Sequence, residues 1–213
     1  MAGRLITFEG GEGCGKTTQI ALLSQRLQRA GVTVVTTREP GGSPLAEQLR
    51  SLLLHALPST TETIQPLTEL LLMSAARCQH LAYTIQPAHA AGQWVLCDRF
   101  HDSTWVYQGH GRGIEPVVIA TINRLVLGTL LPDLTLVLDI SPEIGLQRAR
   151  DRDGGNDRFA REELLFHQRI RQGFLDLVEQ QPQRCCLIDA SQSVDQVAER
   201  IWSRVEEMGI GLC

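Results

Sequence analysis

The run Gly10-Gly11-Glu12-Gly13-Cys14-Gly15-Lys16-Thr17 fits the pattern G-x-x-x-x-G-K-[ST]. Glycines at this spacing let the backbone wrap closely, so that successive N–H groups converge on phosphate oxygens. A helix opening directly afterwards adds its positive N-terminal end. In that arrangement Lys16 reaches the β- and γ-phosphates of ATP, Thr17 offers its hydroxyl to Mg²⁺, and Thr18 flanks the same phosphates. Lys16 is the only lysine in the chain; the other nineteen basic residues are arginines.

Further polar clusters fall where apolar runs end. Thr37-Arg38-Glu39-Pro40-Gly41-Gly42 follows one such run, and Asp98-Arg99-Phe100 with Ser103-Thr104 and Tyr107-Gln108-Gly109 follows another. Open α/β sheets bind ligands at the carboxyl ends of their strands, which is where these groups sit. The planar fork of arginine suits phosphate, so Arg38 and Arg99 are candidate anion ligands. Asp98, closing a buried apolar run, is a candidate metal-site carboxylate behind the ligands themselves. A late stretch from Arg148 to Arg161 is rich in Arg and Asp, contains a Gly-Gly pair and carries almost nothing apolar. It reads as a surface excursion, a lid candidate carrying Arg148, Arg150, Arg152 and Arg158.

The elements that must position these groups are legible as alternating patterns. Leu5–Phe8, Val32–Thr37, Trp94–Cys97, Leu134–Leu138 and Cys186–Ile188 are short apolar runs, the last three ending at Asp98, Asp139 and Asp189. Strands apolar throughout are buried on both faces, which predicts a five-stranded, mostly parallel sheet with helices on both sides. Ile20, Leu23 and Leu27 recur at helical spacing after the glycine loop. Pro44 suits the first turn of a helix through Leu54. A long helical stretch covers about 68–91, kinked or broken before Pro87. Val194, Val197, Ile201, Val205 and Met208 mark a last helix.

The chain has 213 residues and a formal net charge of −4, with 43% hydrophobic and 21% charged residues. That balance argues against a surface that coats nucleic acid or an anionic membrane, and against disorder. No uncharged apolar run reaches the ~18 residues of a membrane span. The six cysteines form no C-x-x-C pair and are expected as reduced thiols in a cytoplasmic protein, with Cys78 and Cys97 as small buried hydrophobes. The length suits one P-loop domain spanning 1–213, with a lid at about 148–161. The N-K-x-D signature of GTPase switches is absent, and the arginine-rich lid points to a small phosphoryl-transfer enzyme that excludes water. Another deoxynucleotide or nucleoside kinase, or a nucleotide-binding switch without turnover, are the alternative readings.

Over essentially its whole length the chain resembles the bacterial thymidylate kinases. The resemblance rests on Phe8-Glu9-Gly10, Thr37-Arg38-Glu39-Pro40-Gly41-Gly42, Ala75-Ala76-Arg77, Asp98-Arg99, Ser103-Thr104, Tyr107-Gln108-Gly109, Pro132-Asp133-Leu134 and Asp157-Arg158-Phe159. It implies a P-loop kinase fold, phosphorylation of dTMP by ATP with Mg²⁺, and a homodimer built through helices beside the sheet, with Leu70-Leu71-Leu72 as a candidate contact. By the same resemblance Arg38 and Arg99 hold the acceptor phosphate, with Pro40 and Ser103 beside the substrate. Arg77 meets a thymine carbonyl, Thr104 the ring N–H side, Tyr107 the sugar 2′ position and Glu12 the 3′-hydroxyl. The loop carries no arginine, so the transition-state arginine is expected from the lid, with Arg152 as the best match and Arg148 and Arg150 as competitors. Three positions depart from the pattern: Met73 replaces an aromatic that stacks on thymine, Ala160 replaces a Glu for which Glu162 is a substitute, and Phe174 stands where Tyr is common.

Overall fold

The computed structural model describes residues 3–55, 62–153 and 158–208, with the side chains of Arg152 and Asp153 outside that set. Strands β1 (Leu5–Glu9), β2 (Val34–Arg38), β3 (Trp94–Asp98), β4 (Leu134–Asp139) and β5 (Cys185–Asp189) form one sheet in the order β2-β3-β1-β4-β5. All four pairings are parallel. The register aligns Arg38 with Asp98, Phe8 with Asp98, and Asp139 with Asp189, so the charged last residues of the strands line one edge. The apolar runs fill the sheet; their charged ends mark where burial stops.

Side chains alternate between the two faces of each strand. Ile6, Phe8, Leu96, Leu136, Leu138 and Ile188 face one core, closed by α1 (Lys16–Arg29) through Ile20, Leu23 and Leu27. The same core is covered by α9 (Val194–Glu206) through Val197, Ile201, Trp202 and Val205. Ser193 caps α9 with a reciprocal capping box to Gln196. The opposite face carries Leu5, Val95 and Cys97 against Leu81, Ile85 and Phe100. Beside it Val137 and Cys185 meet Phe166, Ile170, Phe174 and Leu177 of α8 (Leu164–Gln180). That face is not purely apolar: Thr7 and Thr135 share a hydrogen bond of 2.8 Å, and Arg184 forks onto Asp102 at 2.7 Å with each nitrogen.

Helix α2 (Pro44–Leu54) has the expected bounds, with Ser43 as its cap. The interruption expected before Pro87 takes the form of a π turn, not a full break. Helix α3 (Pro66–His80) passes through a π turn (Leu81–Ile85) into α4 (Gln86–Ala90), and the wider turn absorbs the N–H that Pro87 lacks. A second π turn (Trp105–Gly111) extends α5 (His101–Thr104), and α6 (Pro116–Leu127) follows. Two further expectations need correction. Cys78 is exposed, because α3 turns Leu70, Ser74 and Arg77 inward and position 78 points elsewhere; Cys97 is buried. The polar stretch 148–161 is not wholly excursion: α7 (Pro142–Asp153) carries its first six residues with Ala149 buried, and Phe159 is buried beyond it. Residues 154–157 lie outside the described residues.

Candidate active site

The site is a cleft of about 1290 Å³ at the carboxyl edge of the sheet. Its floor is the glycine loop between β1 and α1. Gly10 and Gly13 hold positive φ, and a Cβ on Gly13 would lie 2.0 Å from the Gly145 carbonyl oxygen of α7. The loop therefore rests backbone to backbone on the first turn of that helix. Lys16 Nζ donates to the carbonyls of Gly11 (2.9 Å) and Gly10 (3.2 Å) and lies 3.4 Å from Cys14 Sγ. Thr17 Oγ1 donates to Asp98 Oδ2 at 3.0 Å, which brings the hydroxyl and carboxylate expected at a metal together. Gly11, Gly15 and Thr18 belong to the same loop and helix start, with Gly15 and Thr18 on the cleft wall.

Arg99 is, among the described residues, the non-glycine with a positive φ, 67°. Such a conformation persists only where its surroundings over-determine it. Here Glu9 does so: its carboxylate accepts from the Phe100 N–H (2.8 Å), the Ser103 N–H (3.3 Å) and Ser103 Oγ (2.5 Å). The guanidinium of Arg99 then donates to Gly10 O (2.9 Å), Ser103 Oγ (3.3 Å) and Glu12 Oε1 (2.8 Å), with its carbon 4.8 Å from the centre of the Tyr107 ring. Tyr107 donates its hydroxyl to the same Glu12 oxygen at 3.1 Å. Burial and the charge of Asp102 push Glu9 up to about 7 against the lowering pull of Ser103 and Arg99. Burial would raise Glu12 too, but Arg99 and Lys16 outweigh it and hold that carboxyl at about 2.

At the other end of the cleft Arg77, 3% exposed, donates from Nε to Glu39 Oε2 (2.7 Å), from Nη1 to Thr104 Oγ1 (2.9 Å) and from Nη2 to the Phe100 carbonyl (3.1 Å). Met73 lies one turn earlier on α3, lines the cleft and packs against the apolar cluster that contains Tyr107 and Phe159. Phe174 meets the Tyr107 ring edge-on, centroids 6.3 Å apart, so it serves as packing for that ring. Arg38 is pinned by Glu47 at 3.0 Å, and Pro40 and Ala160 line the cleft.

The arginines expected in a lid divide. Arg148 is exposed on α7, lines the cleft and approaches Ala190 O at 3.5 Å. Arg150 faces solvent and bonds Gln147 at 3.1 Å. The Arg152 side chain lies outside the described residues. Arg158 turns inward instead of toward the cleft edge: its Nη2 meets Glu69 Oε2 at 2.6 Å and its Nε the Leu53 carbonyl at 3.0 Å, tying the segment after the lid to α2 and α3. Glu162 pairs with Arg112 at 2.7 Å, which takes it away from the substitute role expected for it.

Buried carboxylates are what sequence reasoning missed. Glu9, Glu39 and Glu69 each hold two or more donors brought from distant segments. Glu9 and Glu39 stood inside quoted motifs without a role; Glu69, two turns before Arg77, carried no signal.

A phosphate-binding loop, a hydroxyl–carboxylate pair at its helix and an arginine-lined second end of one cleft define a P-loop nucleoside monophosphate kinase. The family model for thymidylate kinase matches residues 8–201. A thymidylate kinase of Magnetococcus marinus is 50% identical over 206 residues, 97% of each chain, and one of Synechococcus sp. (strain JA-3-3Ab) is 53% identical over 201 residues, 94% of each. The crystal structure of thymidylate kinase from Ehrlichia chaffeensis superposes with a TM-score of 0.78 at 33% identity, covering 96% of this chain and all of that one. The chain belongs to the thymidylate kinase family.

Proposed function

We propose that the protein transfers the γ-phosphoryl group of ATP to dTMP, giving ADP and dTDP. The observation that carries this reading is the single cleft with the phosphate loop at one end and Arg77, Thr104 and Met73 at the other. The acceptor is a phosphate monoester with a second pKa near 6, already a good nucleophile at neutral pH, so no general base is required. The barrier is repulsion between two anionic chains, and Lys16, Arg99 and a lid arginine, Arg152 before Arg148 and Arg150, act on it. Arg38 and Arg99 hold the acceptor phosphate, Glu12 takes the sugar 3′-hydroxyl, and Tyr107, propped by Phe159 and Phe174, crowds the 2′ position.

The Thr17–Asp98 pair supplies one hydroxyl and one carboxylate, and no group of three His, Cys, Asp or Glu suited to a metal occurs among the described residues. That set fits Mg²⁺, which keeps its waters and is held mainly through substrate phosphates. The ion would screen the β- and γ-oxygens when ATP is bound.

A coupled ADP-release assay across dTMP, dUMP, UMP, CMP and AMP tests the reading. Turnover confined to dTMP and, more weakly, dUMP is expected; no turnover on any monophosphate refutes it. Arg152→Ala at the parental rate would remove the lid assignment. The kinase unit is proposed as residues 1–213 with its lid at 148–161, acting in the cytoplasm; among the described residues no helix is long and apolar enough to cross a membrane. A homodimer is proposed through α3 and α6, which pack together and expose Leu67, Leu71, Val117 and Leu125, while Leu70 belongs to the core. Sedimentation of a Leu71→Glu, Val117→Glu variant as a monomer, from a dimeric parent, is the expected result.

A further inference from the structure

A guanidinium has five N–H donors and no acceptor. Arg77 commits three of its nitrogens to acceptors on three separate segments: Glu39 after β2, the Phe100 carbonyl after β3, and Thr104 on α5. Glu39 is itself held. It is 5% exposed, and its second oxygen meets His80 Nδ1 at 2.9 Å, one turn beyond Arg77 on α3. His80 Nε2 in turn lies 2.7 Å from Thr37 Oγ1 on β2. A Cβ on Gly42 would stand 2.3 Å from the His80 ring, so the loop after β2 closes directly over this pair. The carboxylate bridges Arg77 and His80 and has no room to swivel.

What Arg77 still offers to the cleft it lines is one hydrogen on each terminal nitrogen, and both are donors. Thr104 differs. Its oxygen accepts from Arg77 but keeps a rotatable hydroxyl proton, so it can serve a ring nitrogen in either protonation state.

We propose that Glu39 is a specificity-determining positioning residue: by fixing Arg77 as a rigid, donor-only group it requires the pyrimidine to present a carbonyl oxygen at its 4-position. Thymine and uracil satisfy this. Cytosine brings an exocyclic amino group, which sets donor against donor in a buried place, and a buried polar group left without a partner is what gives strong rejection. A loosened Arg77 could swing aside and relax that rejection. The inference rests on the proposed function, with the base of the acceptor seated at the end of the cleft that Met73, Arg77 and Thr104 line.

The test is kcat/KM for dTMP and for dCMP, measured on the parent, Arg77→Gln, Glu39→Gln and Glu39→Asp, with melting temperatures alongside. Glu39→Gln loses the charge and must turn an amide N–H toward either Arg77 or His80. Its dTMP/dCMP ratio is expected to fall about tenfold or more, with the dTMP loss appearing in KM, since the phosphate end is untouched. Glu39→Asp keeps the buried charge but withdraws it by one methylene. It is expected to move the ratio in the same direction and carries the test if Glu39→Gln does not fold. A ratio lost in Arg77→Gln yet kept in the Glu39 variants, with only the melting temperature lowered, overturns the inference alone. A ratio kept in Arg77→Gln, whose amide oxygen can accept from a cytosine amino group, removes the placement of the base and the inference with it.

Discussion

Gly145→Ala tests how closely helix α7 must lie on the phosphate loop. The added Cβ would stand 2.3 Å from the Glu12 carbonyl oxygen, and the reciprocal contact from Gly13 is tighter still. An ordinary carbon–oxygen contact is near ~3.4 Å, so loop and helix must part by roughly an ångström, and both sides are backbone that cannot rotate away. Overpacking of this kind costs about 1–3 kcal/mol. For a domain of this size that corresponds to roughly 2–12 °C in melting temperature. The kinetic effect is larger, because a displacement of about 1 Å in a positioning element can cost about a hundredfold. A coupled ADP-release assay should therefore show kcat/KM for ATP down by about 10- to 100-fold, with KM for dTMP little changed. Parental kinetics together with a parental melting temperature would refute the close approach of α7 to the loop.

Stability should respond to pH through two opposed groups on α5 and β1. Glu9, held at about 7 against an ordinary 4.5, contributes fully below pH 4.5, and that contribution is lost as pH rises through 7. Burial holds His101 at about 4 against 6.5, so it contributes above pH 6.5 and loses that contribution as pH falls through 4. Relative to the parent between pH 4.5 and 6.5, Glu9→Gln should make the melting temperature fall more steeply toward acid, and His101→Gln should tilt the profile toward loss at neutral pH, with His167, also lowered by burial, acting in the same sense as His101. Glu69→Gln leaves Arg112 and Arg158 without their buried counter-charge and should lower stability by about 3 kcal/mol in urea titration. Lys16→Arg should fold normally yet lose ADP release by a hundredfold or more, since a planar fork cannot enter the space a compact ammonium fills between two phosphates.

Much of the frame was legible because burial writes itself plainly into strands. The apolar runs placed all five within two residues, and the charged residue ending each run marked the edge where the ligands belong. The glycine loop was legible for a related reason: its spacing admits few conformations. What stayed hidden depends on contacts between segments far apart in the chain. The π turn before Pro87 carries the chain from α3, which packs on α2 and α6, to Leu81, Ile85 and Ala88 against the sheet; Pro87 marked the place, but no local pattern specified the form. Arg158 looked like a lid group because its neighbours are polar, but Glu69, 89 positions earlier, draws it inward. The exposure of Cys78 follows from the face α3 presents, which Arg77 decides by reaching Glu39. Buried ion pairs leave no periodic trace in sequence, so the carboxylates that hold the arginines in place emerged only with the fold.

Lys16 has a practical consequence for chemical labelling. It is the only side-chain amine in the chain, 8% exposed and bonded to the carbonyls of its own loop. Guanidinium groups do not react with acylating reagents that modify amines, so the other basic side chains are silent to them. Apart from the α-amino group, and once hydroxylamine has removed thioesters from thiols such as the exposed Cys78, the covalent record left by such a reagent is a report on one atom, the one that a nucleotide's phosphates would cover. A single mass increment on the loop peptide, gained without ATP and suppressed with it, would count occupied sites directly.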